Sequence, residues 1–97
     1  MDEEQIHDLF EKHNDEFLKF ERIEKKRSTR PDIHAFLLLN ELCPLDRDIV
    51  CSASHDQIWL DPDAGEVCGK ATVDQIVELI RCGVFYEEDT SSLSMFV

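Results

Sequence analysis

Between Pro31 and Leu42 the chain carries Ile33, Ala35, Phe36, Leu37, Leu38, Leu39 and Leu42. On a helix these side chains point in almost every direction, and a helix that is apolar all round must be buried by other elements. Pro31 suits a first helical turn, and Thr29 with Asp32 three residues on resembles a capping pair. Pro44 bounds the far end, because the residue before a proline avoids helical angles. Any fold of this chain must therefore wrap this second helix. Ninety-seven residues leave room for one core only, so 1–97 is expected to be a single domain built around it.

The segment ahead of it has a different pattern. Ile6, Leu9, Phe10, His13, Phe17, Phe20 and Ile23 recur at three- and four-residue steps, the stripe of an amphipathic helix. Asp2, Glu3 and Glu4 stand at its start and Lys25, Lys26 and Arg27 at its end, both favourable to the helix dipole. The spacing predicts one long amphipathic helix over 1–27, from about Asp2 to Lys26. Such a helix would run roughly 37 Å, long for so small a globule. It is expected to project, or to pair with a second copy through Phe10, Phe17 and Phe20.

Beyond Pro44, residues 31–97 read as an acidic α+β body. Ile49, Val50 and Cys51 suit a short strand or a helical turn equally. Gln57 to Asp61 is a clearer strand, with Ile58 and Leu60 on one side and Trp59 on the other. Asp61-Pro62-Asp63-Ala64-Gly65 reads as a turn. Thr72-x-x-Gln75 is a capping box that opens a third helix, which ends at Cys82 before Gly83. Val84 to Glu87 and Leu93 to Val97 read as a hairpin joined by Glu88 to Ser92. In it Leu93, Met95 and Val97 share one face and Ser94 and Phe96 the other. The expected order is ααβαββ: an α+β fold with a long N-terminal helix, a buried second helix, and a third helix on a small, mainly antiparallel three-stranded sheet.

Charge narrows the function. The net charge is −12, and it is uneven: residues 1–30 hold 9 acids and 7 bases, residues 31–97 hold 13 acids and 3 bases. Phosphates would be repelled, so direct binding to nucleic acid or to an anionic membrane surface is disfavoured. The bases among Lys19, Arg22, Lys25, Lys26, Arg27 and Arg30 are interleaved with Glu21 and Glu24 and read as a solvated helix end. No apolar run approaches the roughly 18 residues of a membrane span, and residues 1–30 lack a signal-peptide core. A cytoplasmic protein with reduced thiols is therefore expected.

No catalytic or metal signature stands out. Cys43, Cys51, Cys68 and Cys82 contain no closely spaced pair of the kind structural zinc sites use. His55-Asp56 lacks the further ligands a metal phosphohydrolase needs, and Cys51 with His55 lacks an orienting third group. In Asp61-x-Asp63-x-Gly65 the glycine stands fifth and Thr72 occupies the twelfth position, which does not fit a calcium loop. His13 belongs to the apolar stripe, and His7 and His34 have no evident partners at metal-ligand spacing. The expectation is a non-enzymatic protein without cofactor or metal.

The stretch Asp74-Gln75-Ile76-Val77-Glu78-Leu79-Ile80-Arg81-Cys82-Gly83-Val84, with Leu93-Ser94-Met95-Phe96-Val97, resembles small phage and prophage proteins of unassigned role. In size and charge the chain resembles phage-encoded inhibitors of host defence: anti-CRISPR, anti-restriction and uracil-DNA glycosylase inhibitor classes. The resemblance implies an inhibitor that presents carboxylates where a basic, nucleic-acid-binding defence complex expects phosphates. The partner-facing acids would be Asp46, Asp48, Asp61, Asp63, Glu66, Glu78, Glu87, Glu88 and Asp89, with Trp59, Phe85, Tyr86 or Phe96 as an apolar anchor. The alternative is a structural or regulatory interaction module, homodimeric through the first helix.

Overall fold

A computed structural model describes residues 2–97. Its helices are α1 (Glu3–Lys12), α2 (Pro31–Leu42), α3 (Ala64–Lys70) and α4 (Val73–Arg81), and its strands are β1 (Val50–Ala53), β2 (Gln57–Leu60), β3 (Val84–Glu87) and β4 (Ser92–Phe96). The α+β class is as expected, but the sheet has four strands in the order β1-β2-β4-β3, all antiparallel. The segment that suited strand and helical turn equally is β1, an edge strand with a register shift between Val50 and Ser52.

The long first helix is corrected. Helix α1 stops at Lys12, and two single 3-10 turns follow at Asn14–Glu16 and Phe20–Arg22. Leu18 lies between them at φ 65°, a left-handed value that ends any regular helix. The stripe misled because Phe17, Phe20 and Ile23 are spaced by three, which serves 3-10 turns as well as an α-helix. Each turn is closed by its own i to i+3 bonds, such as Phe17 N–H to the Asn14 carbonyl and Ile23 N–H to the Phe20 carbonyl. The molecule's longest dimension is 30 Å, so a projecting 37 Å rod has no place in it. Phe10, Phe17 and Phe20 pack, half-buried, on the protein's own core rather than along a projecting rod.

Local chemistry explains the other ends. Thr72 and Gln75 form the capping box of α4, and Asp2 with Gln5 forms another at α1 that the sequence reading overlooked. The Thr29–Asp32 pair does not cap α2: its N-cap is Arg30, without a side-chain bond, while Asp32 accepts from the Ile33 N–H. The expected turn over Asp61–Gly65 is only its first half, because Asp63 caps Glu66 N–H and starts α3, a helix additional to the three foreseen. Gly83 ends α4 at φ +99°, and a Cβ there would meet Leu18 Cδ2 at 2.9 Å.

The core lies between the inner sheet face and the helices. Leu38 and Leu39 of α2, Val67 of α3, Leu79 of α4, Leu60, Val84 and Leu93 are essentially inaccessible. Helix α2 is not buried on every side: Ile33 and Leu37 are exposed while His34, Ala35, Leu38, Leu39 and Leu42 face inward. His34 is completely buried. Its Nδ1 accepts from Arg27 N–H at 3.0 Å, its Nε2 lies 3.0 Å from Glu78 Oε1, and its ring meets Phe20 edge-on. An acceptor Nδ1 fixes the tautomer with the proton on Nε2. This clasp holds the irregular chain before α2 against α2 and α4.

Candidate protein-interaction surface

Strand alternation divides the aromatic residues between two faces. Register pairs Trp59 with Ser94 and Ser94 with Phe85, so these three share the outer face with Gln57, Glu87 and Phe96. Phe85 stacks on Phe96 at 4.7 Å and meets Phe17 edge-on at 6.3 Å. Ser94 is sealed beneath this cluster, whereas Phe96 is 61% exposed. Trp59 is not a free anchor, since its indole N–H donates to Glu87 Oε2, which also accepts from Gln57 Nε2 and Thr90 Oγ1. Tyr86 belongs to the opposite face. It packs 6.3 Å from Phe10, and its hydroxyl donates to Glu3 Oε1, as does Ser91 Oγ. Burial chiefly pushes the Tyr86 phenol above its usual range.

The nine acids named from sequence separate by what they touch. Asp61 holds Arg47 at 2.9 Å, Asp63 caps α3, and Glu66 pairs with Lys70 at 3.0 Å, which holds the Glu66 carboxyl below its ordinary value. Glu78 serves His34 and Glu87 serves Trp59. Asp46, Asp48, Glu88 and Asp89 are exposed. Asp46 and Asp48 sit in the loop before β1, whereas Glu88 and Asp89 form the tip of the β3–β4 hairpin.

The structure adds acids that the division at Arg30 had concealed. Residues 2–11 contain five acids and no base, and the seven bases of the segment all follow from Lys12 onward. Up to Glu11, helix α1 thus carries acids and no lysine or arginine to the hairpin tip. Asp2, Glu3, Glu4, His7 and Glu88 line one shallow depression, and Glu3, Asp63, Gly65 and Ser91 line the next. The N-termini of α1 and α3 and the hairpin tip therefore form one acidic arc. A finer division of the charge, taken at Lys12, would have shown it.

His7 stands within this arc, with Glu88 Oε1 3.4 Å from Nε2 and Glu11 Oε2 and Asp8 Oδ1 at 3.6 and 3.9 Å from Nδ1. His7, Asp8 and Glu11 offer ligand atoms within 4.8 Å of one another. They are the residues that could hold a divalent cation, but Asp8 and Glu11 are each more than 70% open to water, and hydrated carboxylates on a helix surface gain little from one.

The opposite side is mixed in charge. Glu16 bridges Arg22 and Arg81 at 2.9 and 2.8 Å, and the Arg81 bond chiefly holds its carboxyl below the ordinary range. All four cysteines are free. Cys51 is exposed, and burial pushes the Cys68 and Cys82 thiols up to about 11 and about 12. Among the described residues no helix is long and apolar enough to cross a membrane. No family model, curated protein or solved structure matches this chain.

Proposed function

We propose that this chain is an acidic, non-enzymatic protein that binds a basic protein and occupies the surface on which that partner holds nucleic acid, in the manner of phage anti-defence inhibitors of the anti-CRISPR and nucleic-acid-mimic kind. The observation that carries the reading is the acidic arc: Asp2, Glu3, Glu4, Asp63 and Glu88 gathered from three elements onto one end of the molecule. Duplex DNA carries about one charge per 1.7 Å of axis, or roughly 18 over 30 Å. The protein spans 30 Å with a net charge of −12, close enough in density to compete for the same lysines and arginines. The outer sheet face separately exposes Phe96, an apolar group of the kind from which interfaces draw much of their energy.

Affinity capture from cell extract, challenged with duplex DNA, tests the reading. The captured partner is expected to be basic, to be released by DNA, and to dissociate steeply as salt rises from about 50 to about 200 mM. Joint reversal Glu4→Lys, Glu88→Lys and Asp89→Lys touches only exposed groups, so the circular dichroism spectrum should be unchanged. It should slow association about tenfold at low salt and much less at high salt. A partner that DNA does not displace, held equally at both salt concentrations, refutes the proposal.

A further inference from the structure

Between α1, the first 3-10 turn and β3 runs a groove of about 190 Å3. Phe10, Phe17 and Phe85 are among its apolar walls, and His7, Glu11 and Asn14 among its polar lining. An engineered apolar cavity of about 150 Å3 accepts a benzene ring, whereas sites for small organic ligands start near 300 Å3. The groove thus has room for one large side chain and not for a cofactor. Its surroundings select what carries that side chain. Glu11 lies on the rim, and Glu88 and Asp8 crowd the same His7 that lines it. Phe85, one of its walls, is held in place by stacking on Phe96 of the outer sheet face.

We infer that this groove is a socket for a single aromatic or branched aliphatic side chain flanked by lysine or arginine on the partner. The inference rests on the acidic-arc reading and adds to it the sequence class of the contacting segment. Burying one such side chain stabilises by about 1.5–3 kcal/mol, which corresponds to about tenfold or more in affinity. The charges set the association rate and the orientation, and the socket sets which basic segments are retained.

Two synthetic pentapeptides provide the test: one with a central phenylalanine between pairs of lysines, the other with alanine at its centre. Fluorescence anisotropy is expected to show the phenylalanine peptide binding about tenfold tighter. Both should weaken with salt while their ratio persists. Backbone amide shifts should move at Phe10, Phe17 and Phe85 with the phenylalanine peptide only. Asn14→Trp, made at an exposed position, should fill the groove and bring the ratio to one, leaving the alanine peptide unaffected. Should that variant misfold, the shift map of the unmodified protein decides alone. Equal, salt-sensitive binding of both peptides overturns the socket and leaves the acidic arc standing. Failure of both to bind, or binding indifferent to salt, overturns the acidic-arc reading and the inference with it.

Discussion

Replacing His34 with alanine should destabilise the fold by about 3 kcal/mol. The ring is completely buried and makes two hydrogen bonds, one to the Glu78 carboxylate and one from the Arg27 N–H, each 3.0 Å long. A bond to a charged group contributes about 1.5–3 kcal/mol and a neutral one about 0.5–1.5. Glu78 is partly exposed, so water recovers some of its loss and the lower part of that range applies. Loss of the edge-on contact with Phe20 adds to the total. A domain of this size has about 5–15 kcal/mol in all, so the variant should remain folded but weakened. Urea unfolding followed by fluorescence of Trp59, the chain's one tryptophan, should show the midpoint falling by about 1.5–3 M, with an unchanged slope near 1–2 kcal/mol per M. Glu78→Gln keeps an acceptor and should cost less. A double-mutant cycle between the two positions should return a coupling of about 1 kcal/mol or more. The alternative of a helix running through Lys26 would send the Arg27 N–H to the Ile23 carbonyl and leave His34 without its clasp. A loss below about 0.5 kcal/mol would therefore refute the clasp and reopen the long helix.

Further expectations concern other parts of the molecule. Gly83→Ala meets both a left-handed φ of +99° and Leu18 Cδ2 at 2.9 Å. It should cost about 1–2 kcal/mol or more, measured by the same unfolding. With an aromatic disulfide reagent at pH 8, exposed Cys51 should react at once. Cys68 and Cys82, whose thiols burial holds up to about 11 and about 12, should react only as the protein opens. Rapid modification of all four would contradict the packing. The Glu16 carboxyl, held below its ordinary 4.5 chiefly by Arg81, binds a proton more readily when unfolded. Its contribution is complete above about 4.5 and disappears as pH falls through the lowered folded value. Glu16→Gln should therefore lower the melting temperature at pH 7 and reduce the difference between pH 7 and pH 3, and an identical pH profile would exclude the role.

Much of the fold was legible because it depends on local chemistry. The Thr72–Gln75 box, the Gly83 stop and the alternation of Leu93, Ser94, Met95 and Phe96 each carry their geometry in neighbouring residues, and all appear where expected. Other features depended on distant groups. The periodicity of residues 6–23 fits an α-helix and a chain of 3-10 turns alike. The choice between them is made by Glu16 reaching Arg81, Leu18 N–H reaching the Ile80 carbonyl, and Arg27 reaching His34. The first two of these partners lie more than sixty residues away along the chain, and the third lies beyond the break that precedes α2. The fourth strand was ambiguous because β1 is short, mostly exposed and bulged, and so lacks clean alternation.

The candidate site divides in the same way. Composition alone determined that this is a strongly acidic chain, and the apolar residues of Pro31–Leu42 that this helix contributes to the core of an α+β domain. Tertiary structure alone decided which carboxylates remain available, because an acid's availability depends on its neighbours in space. Glu78 and Glu87 are engaged by His34 and Trp59, Asp2 by its own helix cap and Glu3 by Tyr86 and Ser91, whereas exposed Glu4 is brought to the same depression as exposed Glu88. Charge is additive along a chain and can be counted there. A surface is defined by what folding leaves uncovered, and long-range contacts settle that.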